Sequence, residues 1–207
     1  MSRPLGKMYL LRNDLLKILG KDLFIRPLLE ESQIGELTID FRLGYDFLVS
    51  IQGREPYIDA SLNSSENFRN TRNFFRKTRR RLGENFLLHP GQTILSTSLE
   101  YVKLPADILA ILNMRSSYSR LGLTISTIVQ PGYCGCVSIE LTNANKNPIN
   151  LTVGARLFQS RFIQIERKTN YFSTERKYIC SVRPQLSAVS SDSDLQILRK
   201  YFQKNNL

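Results

Sequence analysis

FLLHPGQTILSTSLEYVKLPADILAILNMRSSYSRLGL, residues 86–123, sets the fold class. Phe86–Leu88, Thr93–Leu99 and Ile108–Leu112 are short β-prone runs, and the breaks between them are His-Pro-Gly at 89–91 and Leu-Pro-Ala-Asp at 104–107. Proline fixes φ and withholds a backbone donor, and glycine reaches conformations other residues avoid, so such breaks punctuate strands. The same texture continues downstream. Leu123–Ile128, Cys136–Thr142, Ile149–Thr152 and Leu157–Ile165 are further β-prone runs, set apart by Gln-Pro-Gly-Tyr-Cys-Gly, Asn-Lys-Asn-Pro and Val-Gly-Ala. Many short strands with Gly/Pro turns predict a mainly β domain: a sandwich, a jelly roll or a barrel. Ser116–Leu121 is the one interruption and reads as a short helix.

Upstream, Tyr9–Gly20 places Leu10, Leu11, Leu15, Leu16 and Leu19 at helical spacing, with Gly20 as the stop. Leu37–Phe41 and Phe47–Ile51 read as strands. Residues 52–83 are polar and aperiodic, and read as an Arg-rich insertion away from the core. The chain turns polar again after Lys168. Asp194 is placed to cap a last short helix, Leu195–Gln203, with Leu195, Leu198 and Phe202 on one face. The expected organisation is one domain over 1–190, carrying the insertion at 52–83, and a C-terminal tail over 191–207.

A chain of 207 residues buries a sizeable core without disulfides. Its net charge of +11 favours polyanions as partners: nucleic acid, an anionic surface or nucleotide phosphates. The charge concentrates at Arg69, Arg72, Arg76, Lys77, Arg79, Arg80 and Arg81, with no acid among them. That run is either a solvated segment or a contact for RNA, DNA or phosphate. Phe68, Phe74 and Phe75 within it either stack on bases or tie it to the core. No stretch approaches the length of an apolar membrane span, and the N-terminus lacks the pattern of a secretory signal. Cys134, Cys136 and Cys180 are odd in number, which suits free thiols in a reducing cytosol. The expectation is a cytoplasmic protein without membrane contact. In a strand, Cys134 and Cys136 would share a face.

The lone histidine, His89, sits in a turn, and Cys134-Gly-Cys136 lacks the spacing of a zinc site, so no zinc ligand set is expected. No G-x-S-x-G elbow, Walker A loop or G-x-G-x-x-G is present. What stands out is Asn113-Met114-Arg115-Ser116-Ser117-Tyr118-Ser119-Arg120, directly after a strand. Hydroxyls and backbone N–H groups at the start of a helical turn suit phosphate, and Arg115 adds a charged fork. Arg120 lies one turn beyond Ser116, so both can face one way. An ordinary capped helix with surface arginines explains the same residues. Glu140 stands between Ile139 and Leu141 in an apolar strand. It is either a carboxylate tuned by burial, or a residue on the outer face of the strand or paired with an arginine.

At these residues the chain resembles the dCTP deaminase branch of the dCTP deaminase and dUTPase superfamily. Residues 86–123 are similar to its HPGE…LESVTLPAD…GRSSLARLGL stretch, and QPGYCGCVSIELTN at 130–143 to DPGWSGCIVLEFYN. NPINLTVGARLFQSRF at 147–162, LTIDFRLG at 37–44 and, more weakly, KYICSVRPQLS at 177–187 are similar to further motifs. The resemblance implies a distorted β-barrel or jelly-roll of the dUTPase-like β-clip kind with a few short helices, and a homotrimer with sites between subunits. It implies a triphosphate bound as its magnesium complex. Glu140 matches the glutamate that activates water against C4 of cytosine, and Ser116 and Arg120 match the residues that assist. Arg115, Ser116, Ser117, Gln159, Lys177 and Tyr178 match phosphate-side contacts, and Ser126 and Gln130 fall in the segment that holds the nucleoside. This chain departs from the pattern at Gln130, where the family carries the Asp that dUTPases use as base, at Met114 in place of Gly, and near Ser181 in place of Gln. The 126–130 segment, Ser-Thr-Ile-Val-Gln, also lacks the family's histidine and arginine.

Three functions fit these residues. The first is hydrolytic deamination of dCTP to dUTP and ammonia. The second is a deoxynucleotide-binding sensor or regulator without that activity, suggested by the changes around Gln130. The third is nucleic-acid binding through Arg69–Arg81.

Overall fold

The computed structural model describes residues 8–53, 57–58, 60, 71–173, 176–189 and 193–205. Twelve strands run β1 Phe24–Arg26, β2 Thr38–Arg42, β3 Asp46–Ser50, β4 Phe75–Arg79, β5 Asn85–Leu88, β6 Thr93–Lys103, β7 Ile108–Met114, β8 Leu123–Thr124, β9 Thr127–Val129, β10 Cys134–Asn143, β11 Ile149–Thr152 and β12 Arg156–Gln164. Helices are α1 Arg12–Ile18, α2 Ser116–Ser119 and α3 Ser193–Asn205. The fold is mainly β with few helices, as expected. Among the described residues the strands lie in open sheets of six, four and two, not in a closed barrel. The six-stranded sheet runs β4-β3-β6-β10-β8, with β1 also on β6; the four-stranded sheet runs β2-β12-β7-β9; β11 pairs β5. One apolar core draws on all three sheets, through Phe41, Leu112 and Phe158, Phe47, Ile94 and Ile139, and Leu88 and Leu151.

Several expectations shift. Of the five-leucine stripe only Leu10, just before α1, and Leu15 within it are buried, and Leu11 and Leu16 are exposed, so the helix packs through a narrow seam. Gly20 follows it at φ +82, the left-handed conformation that ends helices. Leu123–Ile128 is two strands, because β8 pairs β10 in one sheet while β9 pairs β7 in another. Ser116–Leu121 shortens to the single turn of α2. The terminal helix begins at Ser193, so Asp194 lies in its first turn and does not precede it. Leu198 and Phe202 stay exposed on it. The Leu195 side chain lies outside the described set.

The described end of the 52–83 segment is no excursion. β4 pairs β3 in continuous antiparallel register from Asp46↔Arg79 to Ser50↔Phe75. Phe74 is buried and anchors it, which settles its role as packing; Phe68 and Arg69 lie outside the described residues. Arg79 stacks over the Tyr45 ring at 4.5 Å and its Nε lies 3.7 Å from Oδ1 of buried Asp46.

A buried carboxylate does exist, at Glu100 on β6. It is wholly enclosed, and accepts the Arg42 amide at 2.9 Å and the Gln33 Nε2 at 3.2 Å. Burial pushes its carboxyl up to about 7, against the opposing pull of those hydrogen bonds and the Arg42 charge.

Candidate active site

β10 carries Glu140 because alternation sorts its residues by face. Val137, Ile139 and Leu141 enter the core; Cys134, Cys136, Ser138 and Glu140 point the other way. Cys134 and Cys136 do share a face. Of the alternatives for Glu140, the structure selects the outward one: its carboxylate is exposed. It opens on a cleft of about 260 Å³, lined by Phe75 of β4, Leu95 and Ser96 of β6, Ser138, and Tyr178, Pro184, Gln185 and Ser187 of the C-terminal segment. Thr127 Oγ1 donates to Glu140 Oε2 at 3.5 Å, and also lies 3.4 Å from the Ser138 carbonyl. Ser126, the neighbour of Thr127, is exposed. Gln130 is exposed at the start of a turn whose Tyr133 amide returns to the Gln130 carbonyl at 3.2 Å.

A second cluster forms where β7 hands over to α2. Ser116 and Gln159 line a cleft of about 410 Å³ together with Asn113, Ser119, Thr124 and Arg161. Gln159 is fixed in mid-sheet, opposite Asp40 on one side and Asn113 on the other. Ser117 and Arg120 are exposed on the same turn, with the Arg120 amide closing on the Ser116 carbonyl at 3.0 Å. Arg115 Nε lies 3.4 Å from Asp40 Oδ2, and Arg156 Nη1 lies 3.8 Å from the same oxygen. Burial raises the Asp40 pKa, and Arg115, Arg156 and Arg42 pull it back. Arg115 is thus partly neutralised by an acid that the sequence reading did not weigh, although Asp40 stands inside the LTIDFRLG motif. Arg156, Arg161 and Thr127 were also missed. Arginines in a strand carry no signal until their pairing is known.

Within one chain the expected site residues therefore divide. Glu140 and Tyr178 share one cleft. Ser116 and Gln159 share the other, with Arg115 beside them. Lys177 is exposed next to Tyr178. No group of three or more His, Cys, Asp or Glu among the described residues is arranged to hold a metal ion. No helix among them is long and apolar enough to cross a membrane.

Comparison with known proteins agrees with this arrangement of strands. Residues 10–165 match the model of the family described as dCTP deaminase-like. A protein of Methanobrevibacter smithii named dCTP deaminase, dUMP-forming, is 32% identical over 179 residues, which cover 83% of this chain and 90% of that protein. One of Halorubrum lacusprofundi named dCTP deaminase is 34% identical over 180 residues, 84% of this chain and 86% of that one. The crystal structure of 2'-deoxycytidine 5'-triphosphate deaminase from Agrobacterium tumefaciens shares the fold, with a TM-score of 0.57 at 22% identity; the match covers 75% of this chain and 47% of that one. With the family match spanning every strand from β1 to β12, the chain belongs to the dCTP deaminase-like family.

Proposed function

We propose that this protein hydrolyses dCTP to dUTP and ammonia, with Glu140 as general acid and base, at sites completed between copies of a homotrimer. The observation that carries the reading is the Glu140 carboxylate, turned out of the core onto a cleft with a hydroxyl donor beside it. Glu140 takes a proton from water as the oxygen attacks C4 of cytosine. The same carboxyl passes that proton to N3, then takes the proton of the C4 hydroxyl as the C4–N4 bond breaks and delivers it to the amine, which leaves as ammonia. Ser116 and Arg120 assist from a neighbouring copy, which accounts for their separation from Glu140 within one chain. Arg115, Ser116, Ser117 and Gln159 receive the triphosphate, with Lys177 and Tyr178 adding contacts from the C-terminal segment. Ser126 and Gln130 face the nucleoside. Exposed Leu121 and Ile128 flank this region and suit an interface between copies.

Several relatives are named dUMP-forming, and others are named dCTP deaminase alone. Gln130 favours dUTP here. An amide cannot accept a proton from water as a carboxylate does, so a second hydrolysis lacks its base. Magnesium enters as part of the substrate, offsetting the triphosphate charge. The donor set fits that role: Arg115, Ser116 and Gln159 present cations and hydrogen-bond donors suited to phosphate oxygens, while the nearby Asp40 is engaged by Arg115 and Arg156. Incubation with dCTP and magnesium should yield ammonia and dUTP together. Pyrophosphate release at a comparable rate would overturn the product assignment. Binding of dCTP with no turnover would replace the enzyme with a nucleotide sensor. Turnover should follow added magnesium after general chelation, and a zinc-specific chelator should leave it unchanged.

Replacing Arg79, Arg80 and Arg81 by serine should change turnover at saturating dCTP by less than about tenfold. β4 reaches the Glu140 cleft through Phe75, not through these arginines. Asp46 also keeps Arg183 Nε at 3.8 Å when Arg79 is lost. Steady-state rates of the triple variant decide this, and a larger fall would place the basic run in the site.

A further inference from the structure

The C-terminal segment 176–189 lies against β10, and the crossing point is sharply defined. The Cys136 amide donates to the Ser181 carbonyl at 2.8 Å. Gly135, at φ +139, leaves no room for a side chain: a Cβ there would meet the same carbonyl oxygen at 2.7 Å. At this crossing the Sγ of Cys134 lies 2.8 Å from the Sγ of Cys180. Beyond it, Pro184, Gln185 and Ser187 join Tyr178 as one wall of the Glu140 cleft.

We propose that Cys134 and Cys180 form a disulfide when the thiol pool is oxidised, and that the bond pins segment 176–189 to the strand that carries Glu140. The two sulfurs stand about 0.8 Å outside the S–S bond length of about 2.0 Å. Cys180 is exposed, so a small oxidant reaches it, and Cys134 is half-buried behind it. Cys136 shares the face but is not the partner. Its thiol is half-buried, and burial, with a smaller contribution from Glu100, pushes it up to about 11, so it stays protonated. The Cys180 thiol is also raised, first by its hydrogen bond with Cys134. Exchange therefore quickens as pH rises.

The oxidant is a low-molecular-weight disulfide, RSSR. The Cys180 thiolate attacks one of its sulfurs, the S–S bond breaks, and RS⁻ leaves and takes up a proton. Cys134 then loses its proton to solvent and attacks the Cys180 sulfur, expelling the second RSH. Two protein thiols are oxidised and one small disulfide is reduced to two thiols. The pairing does not depend on Glu140 being catalytic.

The test treats the full chain with oxidised glutathione at mildly alkaline pH, then alkylates and digests it. The expected result is loss of Cys134 and Cys180 from the three alkylatable thiols, a Cys134–Cys180 linked peptide, and Cys136 still alkylated. Trypsin cleavage of the folded oxidised chain after Arg176 and Lys177 should slow by about tenfold, because the segment no longer opens locally. Cys134→Ser and Cys180→Ser should each abolish both effects, and Cys136→Ser neither. Accumulation of glutathione on Cys180 without a crosslink, a dominant Cys136–Cys180 link, or cleavage at an unchanged rate would overturn the proposal.

Discussion

Glu140→Gln is expected to lower dCTP turnover by about 10²- to 10⁴-fold while nucleotide binding changes little. The amide retains the volume and can still accept from Thr127, but it cannot take the proton of water. In the proposed mechanism affinity resides mainly in Arg115, Ser116, Ser117 and Gln159, which line or adjoin a different cleft. Turnover assays and calorimetry on the same preparation separate the two effects; near-normal turnover would remove Glu140 from the mechanism. Arg120→Ala should lose turnover as well. If sites form between copies, co-expression of the two inactive chains should restore activity. Each site needs an intact Glu140 from one chain and an intact Arg120 from the next, a half chance for each. About a quarter of sites then recover in random trimers. No recovery from mixed trimers would confine the site to one chain.

Glu100 should make the protein less stable as pH rises from acid to neutral. Unfolded, its carboxyl titrates near 4.5; folded, burial holds it at about 7. Between these values the folded chain keeps a proton that the unfolded chain releases, so unfolding becomes easier with each step up in pH. The contribution is complete below about 4.5 and lost above about 7, and amounts to ~3 kcal/mol. Glu100→Gln carries no charge at any of these pH values and should flatten this part of the profile. Urea midpoints at mildly acidic and mildly alkaline pH, for both chains, test it. An equal fall in the variant would assign the dependence to other groups.

The downstream half of the fold was legible because its turns are chemically explicit. Ile149–Thr152 was read between Asn-Lys-Asn-Pro and Val-Gly-Ala, and β11 occupies those residues. β4 was not legible: Phe75-Arg76-Lys77-Thr78-Arg79 has no apolar alternation, and β3 imposes its extended form through backbone pairing. β1 is three residues long and is held by β6 in the same way. Glu100 was missed although its signal was present. Counting by twos from Ile94 through Ser96 and Ser98 reaches Glu100 and then Val102, all on one buried face. The outward turn of Glu140 follows from the same count along β10. The division of the site residues between two clefts could not be read, because spacing along a chain does not say which sheet each residue joins.

β4 is also the last strand of its sheet, and its outer edge has no protein neighbour among the described residues. An open edge invites a second molecule to add a strand and begin a fibril. Arg76, Lys77 and Arg79 on that strand give two approaching edges the same sign of charge, and Arg80 and Arg81 extend it. Like charge along the basic run therefore opposes the edge-to-edge pairing that an uncharged strand would permit.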